Sequence, residues 1–370
     1  MMQIEVLQEN LAQALTRLQR IIPSKPQLPI LSTILFTAEN NKITLAGTDL
    51  YIGMKTVVAG KIIEPGSIAI PGKIFHDSIA SLDAGKLTLT FAEDTLKIKS
   101  SRNTATIQCL PTDEFPDFPT IEGQEYQLKA ETIQEIQNFV SFSTSLDPTR
   151  PVLTALLFSF EKDGLLAVGT DGFRLATLKI SDQTISQLQN FLIPAKAMAE
   201  VARISAQLEI EDVSFLVSEE LKQSLFILGD TSLFVRMIEG EYPPFQKIIP
   251  SEFKTELVVD GKEFENQLKR AQVFARESSN IVKLQIGEKE MKIVAASPAF
   301  GSQEGEISIE LIKGDGGEIA FNTRYLLDFI NTTKAERIRF YMNESLTPAL
   351  MRPEGKDEFK YIIMPFRVNE

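Results

Sequence analysis

A chain of 370 residues with 43% hydrophobic and 24% charged side chains folds as an ordinary globular protein, and its net charge of −12 argues against a uniformly basic, nucleic-acid-coating surface. One cysteine, Cys109, excludes an intramolecular disulfide, and one histidine, His76, leaves a zinc site short of ligands. No apolar run approaches the ~20 residues of a membrane span. The start Met1-Met2-Gln3-Ile4-Glu5 lacks the basic and apolar regions of a signal peptide, so the expected location is cytoplasmic.

In chain order, Leu11, Ala14, Leu15, Leu18 and Ile22 recur at helical spacing, which places Gln13, Arg17 and Arg20 on the opposite, polar face. Asn10 is the expected cap and Pro23 the stop. Ile43-Thr44-Leu45-Ala46 and Leu87-Thr88-Leu89-Thr90-Phe91 alternate as half-buried strands. The second turns through Ala92-Glu93-Asp94-Thr95 into Leu96-Lys97-Ile98-Lys99 as a hairpin. Pro71 opens a helix carrying Ile74, Phe75, Ile79 and Leu82, and Pro194 opens another carrying Met198, Val201 and Ile204. Leu208 to Ile210, Val213 to Val217 and Lys292 to Ala295 read as strands supplying sheet edges. Asn322 caps a helix with Tyr325, Leu326, Phe329 and Ile330.

These elements repeat. Leu45-Ala46-Gly47-Thr48-Asp49-Leu50 returns as Ala167-Val168-Gly169-Thr170-Asp171-Gly172 and, worn, as Ile293-Val294-Ala295-Ala296-Ser297-Pro298. Ile70-Pro71-Gly72-Lys73 returns as Ile193-Pro194-Ala195-Lys196 and Phe321-Asn322-Thr323-Arg324, and Glu114-Phe115-Pro116-Asp117-Phe118 as Glu241-Tyr242-Pro243-Pro244-Phe245. A period near 122 to 127 residues is far above the roughly 20–50 of solenoids, so a tandem of three domains is expected, at 1–124, 125–252 and 253–370. Their net charges are −2, −8 and −2, so any nucleic-acid contact has to come from basic residues gathered on one face. Lys73, Lys196, Arg203, Lys262, Lys269, Arg270 and Arg324 join Arg17 and Arg20 on helices, mostly off the apolar stripe. Together they are the material for a lining that attracts phosphates without reading bases.

Chemistry has no evident seat. No nucleophile stands with a base, and Ala84-Gly85-Lys86-Leu87 lacks the upstream Gly and the Ser/Thr of a phosphate loop. Asp49 and Asp171 both follow Gly-Thr and form the one carboxylate pair an enzyme could use. An Asp at that place between strands is also a common turn former, and the third copy replaces it. Neither a metal nor a cofactor is expected.

The phrases above, with Pro29-Ile30-Leu31, Thr149-Arg150-Pro151-Val152-Leu153, Thr170-Asp171-Gly172-Phe173-Arg174-Leu175-Ala176, Phe321-Asn322-Thr323-Arg324-Tyr325-Leu326-Leu327-Asp328 and the ending Tyr361-Ile362-Ile363-Met364-Pro365-Phe366-Arg367, closely resemble the bacterial DNA polymerase III β subunit family, the sliding clamps, over the whole chain. The resemblance implies an α+β fold of three tandem DNA-clamp domains, each with two helices packed on antiparallel sheets. It also implies a head-to-tail homodimer whose six domains form a ring around double-stranded DNA, without sequence preference or catalysis.

Its implied partners are the DNA polymerase III α subunit, the clamp loader, and other DNA polymerases and repair proteins carrying a clamp-binding peptide. The peptide pocket it implies comprises Arg150, Leu153, Thr170, Gly172, Phe173, Arg174, Leu175, Pro243, Lys247, Ile248, Asn322, Tyr325, Leu346, Pro348, Ile362, Met364, Pro365, Phe366 and Arg367. Implied DNA contacts are Arg17, Arg20, Lys25, Lys73, Lys196, Arg203, Lys269, Arg270 and Arg324. The implied dimer joint sets Lys97, Lys99, Arg102, Ala105 and Ile107 against Val273, Phe274, Glu304 and Glu306. Phe173, Lys247, Pro151-Val152 and the tail Val368-Asn369-Glu370 depart from the commonest family pattern, which bears on the pocket's rim. A clamp-like paralogue that binds partners without encircling DNA is the remaining alternative.

Overall fold

The computed structural model describes residues 2–92, 94–181 and 189–367, so Glu93 of the first hairpin turn and the tail Val368–Glu370 lie outside the described residues. Two compact units emerge. One gathers 1–130 with 196–237, the other 131–195 with 238–370. The middle copy of the repeat therefore contributes to both, because its strands extend sheets begun by its neighbours in sequence.

The first unit holds two antiparallel sheets. Five strands run in the order Gly60–Glu64, Met2–Leu7, Lys86–Ala92, Thr95–Lys99, Thr104–Gln108. Eight run Gln124–Lys129, Asp212–Ser218, Gln223–Leu228, Thr231–Arg236, Ile52–Val58, Lys42–Thr48, Thr33–Glu39, Gly66–Pro71. The eight-stranded sheet crosses from one copy to the next where Thr231–Arg236 pairs with Ile52–Val58, Leu233 opposite Met54.

The second unit is built on twelve strands: Gln189–Pro194, Ala155–Glu161, Gly164–Thr170, Arg174–Ile180, Phe359–Ile363, Ala349–Pro353, Arg337–Met342, Thr255–Asp260, Gly301–Lys313, Glu290–Ser297, Ile281–Ile286, Gly317–Asn322. Here the crossing is Arg174–Ile180 on Phe359–Ile363, Ala176 opposite Tyr361.

Among the described residues six α-helices accompany the sheets, two per copy as the periodicity predicts: α1 (Gln8–Leu18), α2 (Gly72–Ala80), α3 (Ala130–Phe139), α4 (Ala195–Gln207), α5 (Gly261–Ala275) and α6 (Thr323–Thr333). Period-2 alternation buries Met2, Ile4 and Val6, while helical spacing buries Leu11, Ala14, Leu15 and Leu18 completely or nearly so. In the first unit Tyr126, Phe215 and Phe226 stack across adjacent strands at 5.2 and 5.0 Å between centroids. In the second, Phe329 lies 5.2 Å from Tyr361.

Several local expectations are corrected. Helix α1 begins at Gln8 with no side-chain cap, so Asn10 is already inside it; the strand Met2–Leu7 runs straight into the helix and leaves no room for a polar cap. Asn322 does cap α6, accepting from the Arg324 amide at 3.0 Å. Pro71 and Pro194 end strands immediately before α2 and α4. Residues 208–210 form no strand: α4 stops at Gln207, Glu209 takes a positive φ of 52°, and the Ile210 amide turns back to the Ser205 carbonyl. Asp212–Ser218 and Glu290–Ser297 are interior rather than edge strands, each paired on both sides, which suits their apolar alternation. Ile74, read as part of an apolar stripe, is 57% exposed.

Candidate functional site

The repeated Gly-Thr-Asp phrase builds one turn twice. In the second unit the Thr170 hydroxyl donates to the Arg174 carbonyl at 2.6 Å and accepts from the Gly172 amide at 3.1 Å, while Asp171 Oδ1 accepts from the amides of Phe173 and Arg174 at 2.8 and 3.0 Å. In the first unit Thr48 and Asp49 make the same four bonds with Ile52, Leu50 and Tyr51. Both carboxylates are thus occupied in shaping backbone, and the rival enzyme reading loses its pair. Gly172 sits at φ +92°, a conformation that suits glycine; Leu50 is held at +74° in the equivalent position.

Beyond this turn, Arg174 anchors the candidate pocket. Its Nε lies 3.1 Å from Asp171 Oδ2, its Nη1 2.6 Å from Asp328 Oδ2, and its guanidinium stands 4.6 Å from the Tyr325 ring centroid. Burial alone lowers the pKa of this side chain, but Tyr361, Asp328 and Asp171 together outweigh it and raise it, so the charge is fixed. Tyr361 is fully buried, donates to the Tyr325 carbonyl at 3.0 Å, and has its phenol pKa pushed up by burial. The residues the expectation omitted are Asp328 and Tyr361. Both stand inside quoted phrases, but their roles depend on contacts across 154 and 36 positions of sequence.

The ending then docks beside this centre. The Met364 amide donates to the Phe173 carbonyl at 2.9 Å and the Phe366 amide to the Ala320 carbonyl at 2.8 Å. Phe173, Ile248 and Leu346 are exposed at 49, 38 and 57%. Met364, Pro365, Phe366, Pro348, Leu153, Asn322 and Tyr325 are half-buried, and Pro243, Lys247 and Arg367 are exposed. Arg150 lies 3.8 Å from Asp147 and beside Gly172. Leu346, Phe366 and Arg367 line a cleft of about 230 Å³ with Lys283, Glu318 and Ala320.

Leu175 and Ile362 differ from the expectation of direct contact. Both are completely buried, facing each other across the sheet crossing and packed with Phe245, Leu350 and Tyr341. They form the floor beneath a surface, because their strand positions point into a core already filled from neighbouring strands.

Family models of the DNA polymerase III beta subunit match residues 2–119 (N-terminal domain), 127–244 (central domain) and 246–367 (C-terminal domain). The chain belongs to the DNA polymerase III beta subunit family. A "Beta sliding clamp" of Staphylococcus aureus is 28% identical over 379 residues, covering 99% of this chain and all of that protein. Among solved structures, the DNA polymerase III beta subunit of Thermotoga maritima superposes with a TM-score of 0.93 at 26% identity, and the DNA polymerase sliding clamp of Bacillus subtilis with 0.92 at 26%, each covering 100% of both chains. The family is a non-catalytic processivity factor, and the chain carries its fold of three tandem clamp domains.

The basic residues of this family member are less free than their spacing suggests. Arg17 was expected on the polar face of α1, yet it is only 7% exposed, with Nη2 3.4 Å from the Thr56 hydroxyl and Nε and Nη1 without hydrogen-bond partners among the described residues. Its pKa is lowered, by burial first and by Arg203 second. The repeat explains the position: the same step along α3 is Phe139, a residue that packs 5.1 Å from Phe359.

Arg20 and Arg203 both bind the carboxylate of Glu200, at 2.9 and 2.7 Å, and Glu200 is itself buried. That acid was missed, although its i,i+3 spacing from Arg203 was legible. Lys196 lies 3.4 Å from Asp49, and Lys269 shares Glu265 with Lys262. Lys25, Lys73, Arg270 and Arg324 are exposed and form no ion pair among the described residues.

For the dimer joint, Lys97, Lys99, Arg102, Val273, Glu304 and Glu306 are exposed and Ala105 and Phe274 half-exposed, but Ile107 is 5% exposed. It belongs to the interior of the single chain, because alternation along Thr104–Gln108 turns 105 and 107 inward.

Proposed function

We propose that this protein is a DNA sliding clamp: a homodimeric ring that encircles duplex DNA, slides along it, and tethers replication and repair proteins through the cleft beside Arg174 and the C-terminal segment. Clamp domains at 1–124, 125–252 and 253–370, and a cytoplasmic location, complete the proposal. No helix among the described residues is long and apolar enough to cross a membrane.

The observation that carries the dimer is the repeated sheet crossing. Leu233 faces Met54 at one crossing and Tyr361 faces Ala176 at the other. Following the paired registers strand by strand, Leu233 and Tyr361 correspond to Ala105 in the first copy, while Met54 and Ala176 correspond to Gln303 in the third. Among the described residues Thr104–Gln108 is paired along one edge, with Thr95–Lys99, and the 301–308 stretch along one edge, with Glu290–Ser297; the open edge of each is a template for another strand. Two copies that repeat the crossing head to tail close on themselves, as cyclic assemblies do.

A ring holds DNA by topology, so its basic residues need offer only weak, salt-screened contacts. In this reading Arg17, being buried, makes no direct contact with DNA, whereas the exposed Lys25, Lys73, Arg270 and Arg324 meet phosphate. The test is cross-linking. With Ala105→Cys and Gln303→Cys in one chain, or Thr106→Cys and Ser302→Cys, oxidation yields covalently closed dimers that stay on circular DNA through a high-salt wash. A monomer at micromolar concentration by light scattering overturns the reading.

A further inference from the structure

The first unit holds a cleft lined by Thr48, Leu50, Tyr51 and Gly53, the repeat equivalents of Thr170, Gly172, Phe173 and Leu175 in the peptide pocket proposed for the second unit. It has a volume of about 90 Å³ and opens beside the Asp49 turn. Gly53 faces Phe234 there as Leu175 faces Ile362, and Gln223 pairs with Arg236 where the second unit has Pro348 beside Met364. The floor is aromatic. Phe118 lies on Gly53 so closely that a Cβ there would stand 2.6 Å from the ring, and it meets Phe234 edge-on at 4.9 Å.

The rim carries both charges: Arg236 and Asp117 line it, and Asp117 also attracts the ammonium of Lys55, which lies over the Phe118 ring outside the lining. Lys55 places its ammonium 4.5 Å from the Phe118 centroid, and Arg236 is exposed on the same outward face as Phe234. Among the described residues neither cation has a carboxylate within ion-pair distance. Tyr51 stands 64% exposed at the mouth.

We infer that this cleft binds a short acidic peptide segment, one apolar or aromatic side chain entering against Phe118 and Phe234 and a flanking carboxylate pairing with Arg236. A carboxylate forms a two-point contact with a guanidinium, and the small cavity accepts one anchor rather than several. A nucleic-acid strand fits less well, because the small cleft offers one exposed guanidinium rather than a row of cations to match successive phosphates. The inference takes its geometry from the peptide-cleft reading but uses different residues, so the two can fail separately.

The test titrates the full-length protein with fluorescein-labelled acetyl-Glu-X-Glu-Glu amides, X being Leu, Phe or Tyr, alongside Lys-for-Glu counterparts and hexathymidylate. At least one acidic peptide should bind saturably below millimolar concentration and the lysine peptides should not. Arg236→Ala should weaken binding at least tenfold with partial rescue by Arg236→Lys, and Met364→Ala should leave it unchanged. Absence of saturable binding by the whole set, insensitivity to Arg236→Ala, dependence on Met364 instead, or stronger displacement by hexathymidylate than by unlabelled peptide overturns it.

Discussion

Gly53 and Leu175 stand at one position of the repeat, in the cleft of the first unit and in that of the second, and their environments diverge from there. Leu175 faces Ile362 across the sheet crossing, both members of a core of nine buried residues, and the next strand positions toward the surface are Pro348 and Met364. Above Gly53 the missing side chain lets Phe118 fold onto the strand, and the matching positions become Phe234, Gln223 and Arg236. The turn beside each is bonded alike. Backbone geometry therefore belongs to the repeat, while ligand chemistry belongs to a few outward positions whose substitution leaves the strands paired.

The comparison breaks most visibly at its floor. Leu175→Ala empties a fully buried site and should destabilise the second unit by about 2–5 kcal/mol, read as a shift in the urea midpoint. An unchanged midpoint would mean that the site collapses freely. Gly53→Leu copies the second unit into the first and should cost about 1–3 kcal/mol, because the Phe118 ring has to leave. Pairing it with Phe118→Ala should recover part of that loss, whereas simple additivity of the two changes would separate them.

Smaller effects sharpen the difference in chemistry. Met364→Arg installs the first unit's cation in the second cleft. The affinity of a clamp-binding peptide, measured by anisotropy, should fall about tenfold, about 1.4 kcal/mol, with dimer mass unchanged; undiminished affinity removes Met364 from the pocket. Lys55→Ala strips an ammonium from two aromatic faces and should destabilise by about 0.5–1 kcal/mol, while Lys55→Arg should be near neutral. Equal loss in both variants would assign the effect to the lysine stem rather than to its charge.

Much of the fold was legible because strand alternation, helical spacing and repeated turn residues are local. The hairpin at Lys86–Lys99, the cap at Asn322 and the Asp turns follow from neighbours a few positions apart. The site was legible as an inventory of residues, not as a surface. Leu175 and Ile362 belong to its motif yet form its floor, since depth is set by strands distant in sequence. Arg17 illustrates the same limit: helical spacing assigns it to water, and the fold buries it beside the Thr56–Thr231 pair at the sheet crossing.

By itself the sequence determined that one domain pattern is written three times, where many of its helices and strands fall, and that no catalytic constellation is evident, since these depend on residue type and short-range spacing. Only the tertiary structure decided that Glu200 gathers Arg20 and Arg203, that Gly53 admits Phe118, and that open strand edges remain in the first and third copies. Each of those outcomes depends on side chains far apart in the chain competing for the same few ångströms, a competition that no local pattern encodes.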